Sequence, residues 1–329
     1  MRIETKDLAA SKRKNLWEVV PLSTPFSMYI DVTNRCNFAC KYCPTGNPDM
    51  IQAAKRELRY MTLDLFLKII ADMGEFAEPV KVVNLYKDGE PLVNPNFPLM
   101  VRLLREAGVC EKIYAKTNGQ LIAKYPDLAT LPLDMLGLSV SHVTSGGFEK
   151  ISGRRVDYDE YKDGVRRLFD DSRRKFTINA KIARYQMTDA DIEKFYRDFG
   201  PICDTVAVEG LHGWGANSIK DMLLEDIGTH DGTPFNYKLA CPLPFYMLSV
   251  SSDGTVNVCC AEWGNFHRLG DANTQSLFDI WNGGNYKAFR LMHLEGRRFE
   301  NIACNDCQYR DTLPDNIDEH RQQMLERMK

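Results

Sequence analysis

Three thiols fall within nine residues, "CNFACKYCP", at Cys36, Cys40 and Cys43. Spaced C-x3-C-x2-C on a loop after a strand, each thiolate can hold one iron of a four-iron cluster. A cluster held by protein alone needs four cysteines, so one iron stays open. An open iron marks a place for a substrate or cofactor. Zinc is the rival occupant, but a structural zinc normally takes four protein ligands. Five more cysteines, Cys241, Cys259, Cys260, Cys304 and Cys307, follow residue 240, and only Cys110 and Cys203 lie between the two sets. Four thiolates ending in C-x2-C suit an iron–sulfur cluster or a zinc ribbon.

The chain that carries them has 329 residues, 44% of them apolar. That is enough for a large α/β domain with a smaller one attached. Its 42 basic and 45 acidic residues nearly cancel, and no long basic run suggests nucleic acid as a partner. The N-terminus lacks the apolar segment of a signal peptide, and no apolar run approaches the ~18 residues of a membrane span. We therefore expect a cytoplasmic protein with no membrane partner. In that reducing compartment the ten cysteines read as ligands, catalytic groups or small buried hydrophobes rather than disulfides.

A strand-then-helix rhythm runs from about residue 26 to 208. "FSMYIDV" alternates as a strand; Thr62 caps a helix with Leu65, Phe66, Ile69, Ile70 and Met73 on one face. Strands follow at "VKVVNLY", "KIYAK", "MLGLSV", "FTINAKI" and "DTVAVEG", with helices between them, one expected after "TNGQL". Six alternating units read as a parallel sheet curled into part of a (β/α)6 TIM-type barrel. Chemistry in such folds collects in loops at the strands' carboxyl ends. Beyond a polar stretch, "FYMLSVSSDGTVNVCC" reads as two strands around an Asp253-Gly254 turn. A helix at "SLFDIWNGGNYKAFRLMHLEG" and an amphipathic terminal helix complete the pattern. The expected division is an extension at 1–22, the partial barrel at 23–212, a linker at 213–240, a small α+β cysteine-bearing domain at 241–311, and a helix at 312–329.

With these motifs in place, the sequence resembles the radical S-adenosylmethionine (SAM) enzymes. The resemblance implies that Cys36, Cys40 and Cys43 hold a 4Fe-4S cluster whose open iron chelates SAM, and that reductive cleavage yields a 5′-deoxyadenosyl radical. It implies a reducing partner of the flavodoxin or ferredoxin type. Tyr42 matches an aromatic position whose neighbourhood contacts adenine. "KDGEPL" is similar to the family's "GGEPL" segment for the SAM amino group, with Asp88 in place of the first glycine and Gly89, Glu90 and Pro91 kept. Thr117 and Asn118 begin the family's "TNG" turn, and Ser139, Ser141, Asn179, Lys181 and Arg184 end or follow later strands as further cofactor contacts. The C-terminal unit resembles SPASM/Twitch domains, which implies an auxiliary 4Fe-4S cluster on Cys241, Cys259, Cys304 and Cys307, with Cys260 spare. No cysteine follows Cys307, which favours the one-cluster Twitch form.

Spacing around this unit is similar to that of the 2-deoxy-scyllo-inosamine dehydrogenases of antibiotic biosynthesis and related sugar and aminoglycoside enzymes. The resemblance implies a small polyhydroxylated substrate and either dehydrogenation or epimerisation. Oxidation needs a base and epimerisation a placed thiol. Cys260 and Cys203 are the candidate hydrogen donors, and His212 a candidate base. Glu262 and Trp214 are placed to contact a polyol. Peptide modification is the alternative, weighed against by the 25 residues before Phe26, too few for a leader-recognition domain. A non-catalytic zinc or electron-transfer protein is a third reading, with no use for an open iron or the "GEP" and "TNG" loops.

Overall fold

The computed structural model describes residues 14–211 and 237–329. Nine strands form one sheet in the order β6-β5-β4-β3-β2-β1-β7-β8-β9. The first six are β1 (Ser27–Ile30), β2 (Val80–Asn84), β3 (Cys110–Thr117), β4 (Met135–Val140), β5 (Thr177–Ala183) and β6 (Thr205–Glu209). Each pairs in parallel with its neighbour in sequence, as strand–helix alternation requires. The cysteine-rich C-terminal region supplies β7 (Met247–Val250), β8 (Thr255–Asn257) and β9 (Arg268–Asp271). Strand β7 pairs in parallel with β1, so the sheet of the barrel continues into the second unit. Strands β8 and β9 complete an antiparallel extension.

Local chemistry explains most helices. Thr62 Oγ1 accepts from Leu65 N at 3.2 Å and opens a helix over Leu63–Met73, with Leu65, Phe66, Ile69 and Met73 buried. Thr188 and Asp191 form a reciprocal capping box at the start of Asp189–Phe199. Two expectations are corrected. After the Thr117–Gly119 turn there is no full helix, only short 3-10 turns at Ile122–Lys124 and Leu128–Thr130. Pro126 and Pro132 interrupt that segment, removing donors and disfavouring helix before each ring. The long C-terminal helix divides into Leu277–Asn282 and Gly284–Leu294, where Gly283 takes an extended conformation.

One apolar core runs through both units, from Met28 and Ile30 of β1 to Val256, Trp281 and Tyr286. A second cluster joins Leu16 and Val20 to Phe245, Met324 and Leu325, packing the turn at Leu16–Val19 on the terminal helix, Arg321–Met328. The parallel strands bring the β1, β2 and β3 loops to one end of the sheet. The C-terminal region covers that end beside β1.

Candidate active site

The loop with Cys36, Cys40 and Cys43 leaves the carboxyl end of β1 and is held from two sides. Ala39 N donates to Ser152 O at 2.8 Å and Lys41 N to Ile151 O at 3.0 Å. Both carbonyls end a helix, Ser145–Ser152, that sequence periodicity did not reveal because Gly146 and Gly147 stand in its first turn. Its one legible signal is the Thr144 cap, which accepts from Gly147 N. From the other side Glu90 N donates to Arg35 O at 2.9 Å. Gly89 approaches so closely that an added Cβ would lie 2.2 Å from Thr33 O and 2.4 Å from Arg35 O. Only glycine fits there.

Glu90 ties this loop to the next. Its Oε1 accepts from Thr117 Oγ1 at 2.7 Å and its Oε2 from Asn118 N at 2.6 Å. Asn118 Nδ2 donates to Asn37 Oδ1 at 2.7 Å and reaches Cys36 Sγ at 3.9 Å. Burial pushes the Glu90 carboxyl up to about 7, against the pull of those donors. The loops after β1, β2 and β3 thus form one cradle, in which the Glu90 carboxylate is already bonded on both oxygens.

The donor set of this cradle suits a cluster. Burial pushes the Cys36 and Cys40 thiols up to about 12, with further rises from the neighbouring thiols. Three thiolates side by side need compensating metal charge. The Phe38 N–H points at Cys36 Sγ at 3.4 Å, the kind of contact that steadies a cluster ligand. Ser141 and Tyr42 hydrogen-bond around Cys40, and the Tyr42 ring stands edge-on to Tyr185 at 5.6 Å.

Asp88 does something its motif position does not announce. Its carboxylate takes Arg56 Nη2 at 2.8 Å and Lys87 Nζ at 3.1 Å, all three side chains almost fully buried. Its carbonyl accepts from Thr45 Oγ1 at 2.8 Å, which in turn accepts from Trp263 Nε1 at 2.8 Å. Lys87 Nζ also donates to Glu262 O at 2.9 Å, and Arg56 lies over the Trp263 ring while donating to Trp263 O. Asp88 is therefore the bolt between the first cysteine loop and the loop after Cys260. Asp31, buried beneath it, donates nothing to the bolt but accepts from Asp88 N, and burial together with the Asp88 charge raises its pKa.

Inside the barrel, one face of the strands carries polar and aromatic groups. Tyr29 stands edge-on to Tyr86 at 5.4 Å, and Lys116 Nζ lies 5.0 Å over the Tyr86 ring. Lys181 pairs with Glu209 at 2.5 Å, and Asn179 Oδ1 is buried with no hydrogen-bond partner. Cys260 faces this space. Lys87 and Lys116 act on its thiol by charge, Tyr309 by a hydrogen bond, and it in turn acts on Tyr29 and Tyr86. Tyr29, Tyr86, Lys116 and Glu209 escaped the sequence reading. Their signal was the period-2 alternation that put polar groups on the barrel's inner face.

Other candidates sit elsewhere. Cys203 is buried at the amino end of β6, beside Asp204, at the end of the parallel sheet opposite the cysteine loop. Arg184 is exposed and pairs with Asp189, outside the barrel. Ser139 ends β4 in the register of Lys181. Pro91 opens a short turn behind the cradle. His212 and Trp214 lie outside the described residues.

The second cysteine set lines a single cavity. Cys241, Cys259, Cys304 and Cys307 all contribute to its wall, together with Glu262, His293, Arg298, Tyr309 and Arg310, whereas Cys260 does not. Arg298 Nη1 donates to Cys304 O at 2.6 Å, and Arg310 donates to Cys307 O, so two guanidinium groups hold the C-x2-C loop. Burial and the neighbouring thiols raise the Cys241 and Cys259 pKa values. Two polar atoms of the wall, His293 Nε2 and Glu262 Oε1, are buried without a partner. Four thiols, flanking cations and orphaned polar atoms fit a metal–sulfur group in this space. Among the described residues no three His, Cys, Asp or Glu side chains converge on a point as a single metal ion requires.

Comparison with known proteins agrees with this geometry. Residues 30–199 match the radical SAM superfamily and residues 241–308 the SPASM iron–sulfur cluster-binding domain. The chain belongs to the radical SAM superfamily. It is an enzyme of the SPASM type that uses SAM, a 4Fe-4S cluster and an auxiliary cluster. It is similar to the tungsten-containing aldehyde ferredoxin oxidoreductase cofactor-modifying protein of Pyrococcus furiosus, 25% identical over 86% of this chain and 87% of that one. Among solved structures it shares the fold of BtrN in complex with AdoMet and 2-DOIA, with TM-score 0.53, 21% identity, and 86% and 92% coverage of the two chains. It also shares the fold of Streptococcus suis SuiB bound to precursor peptide SuiA, with TM-score 0.64, 17% identity, and 82% and 67% coverage. Among the described residues no helix is long and apolar enough to cross a membrane.

Proposed function

We propose that this protein removes a hydrogen atom from a small polyhydroxylated substrate, a sugar, aminoglycoside or cyclitol, and completes a dehydrogenation or an epimerisation. The observation that carries the reading is the barrel's inner wall. Tyr29, Tyr86, Lys116, Asn179, Lys181 and Glu209 offer hydrogen-bonding groups on several strands around one space, which suits a molecule with hydroxyls on every side.

When bound, the first cluster and SAM supply the 5′-deoxyadenosyl radical. The chain's residues do the rest. Cys36, Cys40 and Cys43 hold the cluster, and Glu90 fixes Thr117 and Asn118 beside it. Tyr42, Ser139 and Ser141 border the SAM end of the space. Glu209, held by Lys181, is a carboxylate placed to take a hydroxyl proton during oxidation. Cys260 presents a thiol on the side of the auxiliary domain, where it can return a hydrogen atom to the opposite face.

A second reading, peptide modification, draws support from the SuiB likeness, since that protein was solved with a precursor peptide. The experiment is deoxyadenosine formation by anaerobically reconstituted protein, offered a panel of sugars, aminoglycosides and cyclitols against peptides. Polyol-dependent turnover is expected, and with the responding polyol in deuterated solvent, Cys260→Ala should lose deuterium incorporation if the outcome is epimerisation. Turnover with peptides alone would overturn the proposal.

A further inference from the structure

His293 lies in the wall of the auxiliary cavity, fully buried on the helix Gly284–Leu294. Its Nδ1 takes the backbone N–H of Cys241 at 3.2 Å, and Cys241 is one of the four thiols around that cavity. A nitrogen that accepts a hydrogen bond carries no proton of its own. The ring's proton must then be on Nε2. That Nε2 is buried and has no hydrogen-bond partner. A buried N–H left unbonded costs about 1–3 kcal/mol, so a fully enclosed one implies an acceptor that completes it. Phe289 packs edge-on against the ring at 4.8 Å.

We propose that His293 is a positioning and tuning residue of the auxiliary cluster: Nδ1 fixes the Cys241 backbone, and Nε2–H donates a hydrogen bond to a cluster or ligand sulfur. A donor at sulfur stabilises the more negative, reduced state and raises the reduction potential. The same ring thus sets both where one ligand stands and how readily the cluster accepts an electron. The inference concerns the cluster and not the substrate, so it holds for a sugar or a peptide enzyme.

Two substitutions separate the roles. His293→Asn keeps an acceptor near the Nδ1 position and loses the Nε2 donor, whereas His293→Gln keeps a donor near Nε2. The measurement is an EPR-monitored redox titration of the reconstituted full chain, following the signal that does not change on adding SAM. Iron and sulfide content are measured alongside. His293→Asn should move the auxiliary potential downward by about 59 mV, a tenfold change in the reduced-to-oxidised ratio for one electron. His293→Gln should recover most of it. An unchanged potential in His293→Asn with full iron content overturns the proposal. Should either variant fail to take up its cluster, pulsed EPR on wild-type protein labelled with 15N-histidine decides: a 15N coupling at the auxiliary signal is expected, and its absence is equally fatal.

Discussion

The two cysteine sites solve opposite problems. The first draws its three thiols from eight consecutive residues and obtains its shape from neighbouring backbone: Ser152 O, Ile151 O, Glu90 N and the bare Cα of Gly89. The second draws four thiols from three distant segments and encloses them with His293, Arg298 and Arg310. An open site must hold its ligands from behind, leaving one corner for SAM. A closed site can let the metal group itself tie the segments together. The first should therefore be nearly preformed without iron, and the second should depend on it.

The largest break in that comparison comes from removing ligands. Replacing Cys36, Cys40 and Cys43 by alanine should abolish SAM cleavage, halve the iron content, and leave thermal stability and the auxiliary spectrum close to wild type. Replacing Cys304 and Cys307 should do the reverse to the fold. The C-x2-C loop loses its anchor, and the unit over residues 241–308 should become protease-sensitive while the first cluster's SAM-responsive signal persists. Equal destabilisation by both sets would remove the distinction between a preformed and a metal-tied site.

Asp88 tests what joins the two sites. The "GGEPL" motif that this segment resembles has glycine there, but here the carboxylate is buried between Arg56 and Lys87, with Thr45 and Trp263 bonded at its side. Asp88→Gly restores the motif's glycine yet leaves the two buried cations with only the charges of Asp31, Asp253 and Glu262 around them. We expect a loss of about 3 kcal/mol, measured by denaturant unfolding of the apo-protein. SAM binding should weaken as well, since the loop behind Gly89 loses its bolt. An undiminished stability would mean that the remaining carboxylates, Asp31, Asp253 and Glu262, suffice to balance both cations.

Much of this was legible in the sequence because local rules and chemistry coincided. The strand alternation, the Thr62 cap and the Asp253-Gly254 turn all report short-range preferences, and the structure keeps them. All four assigned auxiliary thiols line the same cavity, with Cys260 turned elsewhere. What stayed hidden depends on register and long-range approach. The pairing of β7 with β1 joins residues over 200 positions apart, and no periodicity announces it. The same holds for the Asp88 bolt and for His293 against Cys241.

Glu90 gives the smallest effect and the sharpest test of how preformed the first site is. Its carboxyl is 2% exposed, and burial lifts it from 4.5 to about 7. A folded-state value above the unfolded one means the native protein holds the proton more tightly in that window. Its stabilising contribution is whole below about pH 4.5 and drains away as pH rises through about 7. That displacement already includes the pull of the Thr117, Asn118 and Leu92 donors toward the anion, and it corresponds to roughly 3 kcal/mol. Glu90→Gln cannot titrate, so its apo-protein should show a flatter fall in Tm between pH 5 and 8 than wild type. It should also be less stable at pH 8 by about 1 kcal/mol, because an amide NH2 then faces one of those donors. Parallel Tm profiles would mean that the cradle already holds Glu90 ionised throughout, and that its three donors outweigh its burial.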